Sequence, residues 1–142
     1  MSNTITKASD RDELPRVLVC GGRTYADYYR ISDELDDLCH DRDWLTEPDR
    51  YGRRHPKVCI ISGMAPGADR LAIQWAIARD CPWLEFRADW KKHGKSAGMI
   101  RNRQMLEEGK PVVVVAFPGG KGTANMVDIA QRAGVEVIII EV

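Results

Sequence analysis

Four short stretches of the chain are almost wholly apolar and a fifth, third in order, alternates, and each of the first four is followed by a helix-like segment. The first, "RVLVCGG" at 16–22, reads as a buried strand ended by two glycines. From Asp27 onward, Tyr28, Ile31, Leu35 and Leu38 form one apolar stripe among acidic residues, the pattern of a surface helix packed on a core. "KVCIISG" is a second strand, and the helix expected after it carries Leu71, Ala72, Trp75 and Ala78 on one face. "WLEFRADW" alternates and predicts a third, half-covered strand, followed by a loop "KKHGKS" and a helix over residues 97–108. "PVVVVAF" and "VEVIIIEV" predict the last two strands, joined by a helix whose apolar face is Met126, Ile129, Ala130 and Ala133.

β-Branched runs that alternate with amphipathic helices imply a parallel sheet covered on both faces, because each crossover helix must bury its stripe against the sheet. The expected class is therefore α/β: a single doubly wound domain over residues 16–142, with a mostly parallel sheet of about five strands and helices on both faces. The polar lead, residues 1–15, is expected to be disordered. Residues 41–56, polar, aperiodic and with two prolines, are expected to be a solvated connector.

Composition narrows this further. A chain of 142 residues, 44% hydrophobic, suits one domain. Lys plus Arg and Asp plus Glu both number 21, so no overall positive field draws the protein to nucleic acid or an anionic membrane, and nucleic acid as a partner would require a local patch. Cys20, Cys39, Cys59 and Cys81 form no Cys-x-x-Cys pair, so no zinc or other metal site is expected. Cys20 and Cys59 fall inside strand runs and read as reduced, buried hydrophobes. With no signal-like segment and no long apolar run, a cytoplasmic protein without membrane association is expected.

In a doubly wound sheet, ligands bind beyond the carboxyl ends of the strands, where the strand order reverses. That edge holds "GGRTY", "SGMAPGAD", "ADW" and "PGGKGT". Glycine turns that lead into helices present free N–H groups and a positive dipole end, which favour an anion. Two familiar phosphate motifs are excluded. A Walker loop would need Gly and Ser or Thr where Val115 and Gly122 stand, and "CGGRTYAD" lacks the dinucleotide spacing. No cofactor is indicated.

The ordered motifs "GGR", "GMAPGADRLAIQWA", "RADW" and "SAGMIRNRQML", together with "PGGKGT" after a Val-rich strand, resemble the YspA-like branch of the SLOG superfamily. This superfamily of Rossmann-like, nucleotide-handling proteins includes the Lonely-guy phosphoribohydrolases and DprA. The resemblance runs from about residue 16 to residue 142 and implies binding, sensing or processing of a nucleotide or nucleotide-derived ligand. It also implies helix pairing into a homodimer. By position, Arg101 matches the arginine that Lonely-guy enzymes use beside the ribose-phosphate, Met105 matches their methionine, and Asn102 replaces their lysine. Pro118, Gly119, Gly120, Gly122 and Thr123 match the phosphate loop. The catalytic glutamate expected three residues after the threonine is Met126, and a thioether supplies neither proton transfer nor charge. Asp128 lies about 200° around the helix and roughly 3 Å further from the loop, so it is a poor substitute.

Any surviving chemistry must draw its carboxylate from Asp69 or Asp89, with Arg101 as the third catalytic candidate. Asp69 has an alternative role in the first turn of a helix. Trp90 is either a stacking surface or core. Arg23 is placed to take a phosphate in bidentate fashion or to make a surface ion pair. The remaining ligand-binding candidates are Gly21, Gly22, Ser62, Gly63, Gly67 and Asn102. The lysines of "KKHGK" are a lid or a solvated loop, His93 is assigned no role, and Trp75 and the helical methionines are assigned to the core. Three functions remain in play: a nucleotide-binding protein, an N-glycosidase acting on a nucleoside phosphate, and a DNA-binding module of the DprA type.

Overall fold

In the protein's structure, a computed structural model, the backbone of residues 3–5 and all of residues 14–142 are described. In chain order the elements are β1 (Asn3–Ile5), β2 (Arg16–Cys20), α1 (Tyr28–Asp41), β3 (Cys59–Ser62), α2 (Ala68–Ala78), β4 (Trp83–Phe86), α3 (Trp90–His93), α4 (Ala97–Glu107), β5 (Val113–Ala116), α5 (Lys121–Arg132) and β6 (Glu136–Ile139). The apolar runs become strands because their β-branched residues fit a pleated surface buried on both sides. Val17 lies beside Ile60 of β3 and Val113 of β5, and all three are buried.

The strand order is β1-β4-β3-β2-β5-β6, with β4, β3, β2, β5 and β6 parallel. β1 is the exception to the expectation for residues 1–15: Asn3–Ile5 pairs antiparallel with β4. The alternating strand β4 has an edge left unpaired by the βα units, and a short extended segment completes it. The rest of the lead, up to residue 13, lies outside the described residues.

The period of two along each strand separates two cores. Val17, Val19, Ile60, Val113 and Val115 face α1 and α2, while Leu18, Cys20, Ile61, Val114 and Ala116 face α4 and α5. Asp36 of α1 joins α1 to α2, accepting from Trp75 Nε1 at 3.0 Å and from Arg79 Nη2 at 2.6 Å. Several expectations need correction. Ala78 is exposed, and the buried face of α2 is instead Ala68, Asp69, Ala72, Ile73, Trp75 and Ala76. Ala133 is exposed because α5 ends at Arg132. Met99 is exposed on α4, so only Met105 and Met126 among the helical methionines pack in the core. The expected loop after β4 instead begins with α3, because the Asp89 carboxylate accepts the Lys92 N–H at 3.1 Å and caps a helical turn. β6, at the sheet edge, is half exposed rather than fully buried.

Candidate functional site at the switch point

The strand order reverses between β2 and β5, so the exits of these two strands flank one crevice. Their turns are bonded together: Gly22 N–H donates to the Pro118 carbonyl at 2.8 Å, and Phe117 N–H donates to the Cys20 carbonyl at 2.8 Å. The β3–α2 turn closes against the same point, with Ala68 N–H donating to the Gly22 carbonyl at 3.2 Å. The packing is tight. A Cβ on Gly21 would meet the Ala68 Cβ at 2.6 Å, and one on Gly119 would meet the Gly22 nitrogen at 2.7 Å. The structure thus brings together Gly21, Gly22, Gly67, Pro118 and Gly119, which the sequence places on three separate turns.

α5 starts without a side-chain cap at Gly120, and the Ala124 N–H is the first to bond back to the Gly120 carbonyl, at 3.0 Å. The N–H groups of Lys121, Gly122 and Thr123 therefore precede the helical ladder, and Lys121 and Gly122 are exposed. Across from them, Arg101 of α4 lies against Gly63. Its Nη1 donates to the Gly63 carbonyl at 2.5 Å and its Nε to Asn102 Oδ1 at 3.1 Å. Nη2 makes no hydrogen bond within the described residues. Burial pushes the Arg101 guanidinium down from its usual range, and the nearby Asp69 charge opposes that shift.

Asn102, 4% exposed, acts as a strut. Its Nδ2 donates to the Gly122 carbonyl at 3.1 Å and to Asn125 Oδ1 at 3.0 Å, so Arg101 and the start of α5 are held through one amide. Asn125 had no sequence signal of its own. Ser62 is fully buried: its hydroxyl donates to the Asp69 carbonyl at 3.0 Å and accepts from Met64 N–H at 3.1 Å, which shapes the turn that aims Asp69.

Asp69 is only 5% exposed. One carboxylate oxygen, Oδ2, accepts from Ala65 N–H at 3.2 Å. Burial raises its pKa from 3.8 to about 6, against the opposing pull of Arg101, the Ala65 N–H, Arg23 and Arg70. Because the folded-state value lies above the unfolded one, the stability associated with this group is present below pH 3.8 and lost as pH rises through about 6. Asp69→Asn keeps an oxygen for Ala65 and removes the buried charge. It is expected to stabilise the protein by on the order of 2 kcal/mol at pH 7.5, with the gain shrinking toward zero near pH 4. Urea titrations at both pH values check this, and an equal effect at the two would refute it.

The other candidates lie at the mouth of the crevice. Trp90 is 50% exposed, which removes the core alternative, and the Arg23 guanidinium carbon is 6.0 Å from its ring centroid. Asp89 is exposed and engaged as the cap of α3. Cys20, at the floor, is buried beside Asp69 and Arg101, and burial drives its thiol pKa far upward, which disfavours the thiolate. On the far flank of the glycine turn, a groove of about 450 Å³ runs between α5 and the end of β6. It includes Gly119, Gly120 and Thr123 but neither Arg101 nor Asp69, so it meets the crevice only at the turn.

The family model of YspA, cpYpsA-related SLOG proteins (YAcAr) matches residues 15–93, ending before α4 and the glycine turn after β5. The chain is 37% identical over 133 residues to the Gene 61 protein of Mycobacterium phage D29, covering 88% of this chain and 95% of that protein. In fold it is similar to the X-ray structure of DNA processing protein A (DprA) from Streptococcus pneumoniae, with a TM-score of 0.68 at 16% identity. That similarity covers 99% of this chain and 55% of the other, so the chain spans about half the length of that protein. The family model takes in the first two crevice turns together with Asp69, and on that match the chain belongs to the YspA, cpYpsA-related SLOG family.

Proposed function

We propose that the crevice binds a nucleotide or nucleotide-derived ligand, with its phosphate against Gly119, Gly120, Gly122 and Thr123 and with Arg101 and Arg23 as counter-charges. The observation that carries this reading is that Arg101, whose Nη2 has no hydrogen-bond partner among the described residues, is tied through Asn102 to the uncapped start of α5. Half-bonded cations and free N–H groups gain most from a multiply charged oxyanion. Trp90, half exposed at the mouth, offers a face for a base.

Binding rather than hydrolysis is the favoured role. Met126 is fully buried and the Asp89 carboxylate is engaged as the cap of α3, which supports neither position as a catalytic carboxylate. Free, buried cysteines suit a cytoplasmic setting. No helix among the described residues is long and apolar enough to cross a membrane.

The test is to denature the purified protein, identify any released small molecule by mass spectrometry, and titrate it back by calorimetry. Arg101→Ala is expected to weaken a phosphate-bearing ligand by about 1–3 kcal/mol while the protein stays folded. Unchanged affinity would remove Arg101 from the site. Release of free base during incubation would favour the hydrolase, and a steep fall of single-stranded DNA affinity with salt would favour a DNA-binding module.

A further inference from the structure

An anion-binding crevice that contains a buried carboxylate needs an explanation. Asp69 is 5% exposed and sits in the first turn of α2, beside the turn that bonds to Gly22. Its Oδ2 is satisfied by Ala65, but its Oδ1 has no hydrogen-bond partner within the described residues. Every fully buried side-chain oxygen or nitrogen among those residues does have a partner, so Oδ1 is not sealed from solvent. Arg101 does not neutralise it by direct contact, since its hydrogen bonds go to Gly63 and Asn102.

A phosphate placed against Oδ1 would be repelled, so the part of the ligand that meets Asp69 carries no negative charge and donates. Resting on the nucleotide reading above, we propose that Asp69 Oδ1 accepts a hydrogen bond from a ribose hydroxyl, so that the site selects ribonucleotides over ligands that offer the same phosphate without vicinal hydroxyls. The sugar is the group next to the phosphate in a nucleotide, and Asp69 interacts electrostatically with both proposed phosphate counter-charges, Arg101 and Arg23. Trp90 stands at the mouth, beyond Arg23, where the base would emerge. At neutral pH the Asp69 carboxylate is ionised and acts only as an acceptor, so a hydroxyl donor satisfies it where a phosphate oxygen cannot. A site built to hydrogen-bond a hydroxyl discriminates strongly against the analogue that lacks it, because the buried acceptor is then stripped of water and left unpaired.

The experiment is calorimetric titration of the four ribonucleoside 5′-monophosphates and their 2′,3′-dideoxy counterparts into the wild type, Asp69→Ala and Asp69→Asn, each first checked for a cooperative melt. The wild type is expected to prefer at least one ribo form by tenfold or more. Asp69→Ala should bind that ribo form and its dideoxy counterpart within about twofold of each other, and, if the alanine variant does not fold, Asp69→Asn, which replaces the open acceptor by an amide donor, should reduce the wild-type preference at least threefold. Equal wild-type affinity for the two forms would overturn the hydroxyl assignment and leave the phosphate site standing. A preference that survives both variants would overturn Asp69 as its source, and a wild type that binds neither form of any of the four would overturn this inference for nucleoside monophosphates while leaving other nucleotide-derived ligands to the mass-spectrometric test above.

Discussion

Met126→Glu is expected to destabilise the protein by about 3–5 kcal/mol at pH 7 and to install no hydrolase activity. In sequence this is the obvious repair, since Met126 stands where the resemblance to Lonely-guy enzymes expects a glutamate. In the structure Met126 is fully buried in the cluster of Leu18, Cys20, Met105, Val114 and Ala116. A carboxylate there sits among apolar side chains and loses its hydration. Its pKa would rise above the unfolded value, so the lost stability should be partly regained as pH falls. Met126→Gln, of similar size and uncharged, should cost clearly less, and guanidinium titrations of both variants separate the charge from the shape. A glutamate variant as stable as the wild type that also released base from a nucleoside monophosphate would place this side chain in the crevice and restore the enzyme reading.

Gly67→Ala should cost about 3–5 kcal/mol and weaken ligand binding as well. Gly67 caps α2 with φ +86° and ψ −132°, a region essentially confined to glycine. An added Cβ would collide with the Gly22 carbonyl oxygen and lie 2.7 Å from the Arg23 carbonyl carbon. Both obstacles are backbone, so no rotamer change relieves them. The Gly22 carbonyl also accepts from Tyr25 and Ala68, each at 3.2 Å, so moving it disturbs the floor of the crevice. Gly120→Ala is the control. Nothing lies within 4 Å of its added Cβ, and its stability should change by less than about 1 kcal/mol. Similar losses at the two positions in thermal melts would contradict the close approach at Gly67.

Much of the architecture was legible because local spacing reports burial. The runs at 16–20, 59–62 and 113–116 could be buried on both faces only as central parallel strands, and the stripe of Ile31, Leu35 and Leu38 had to cover one of those faces. The same reasoning failed where burial depends on position in the sheet. The last strand is as apolar as the central ones but lies at the edge, and β1 exists because β4 had an edge to complete.

The candidate site was legible only as a set of residue types on one edge. A glycine turn before a helix carries its free N–H groups wherever it occurs, so the anion site proposed at residues 119–123 rests on the local chain. The roles of the carboxylates are not. Asp69 and Asp89 look alike in sequence, each next to an alanine near a helix start, yet one is buried with an open oxygen and the other is a solvated cap. Asn102, a ligand-binding candidate in sequence, braces α4 against α5, a role that only the folded chain reveals. By itself the sequence determined the α/β class, the strands and helices that compose it, and the glycine turns on its carboxyl edge, because period and turn chemistry are written into consecutive residues. Only the tertiary structure decided which charges meet, since the burial that raises the Asp69 pKa and the arginines that oppose it come from turns and helices far apart in the chain, brought together by strand order.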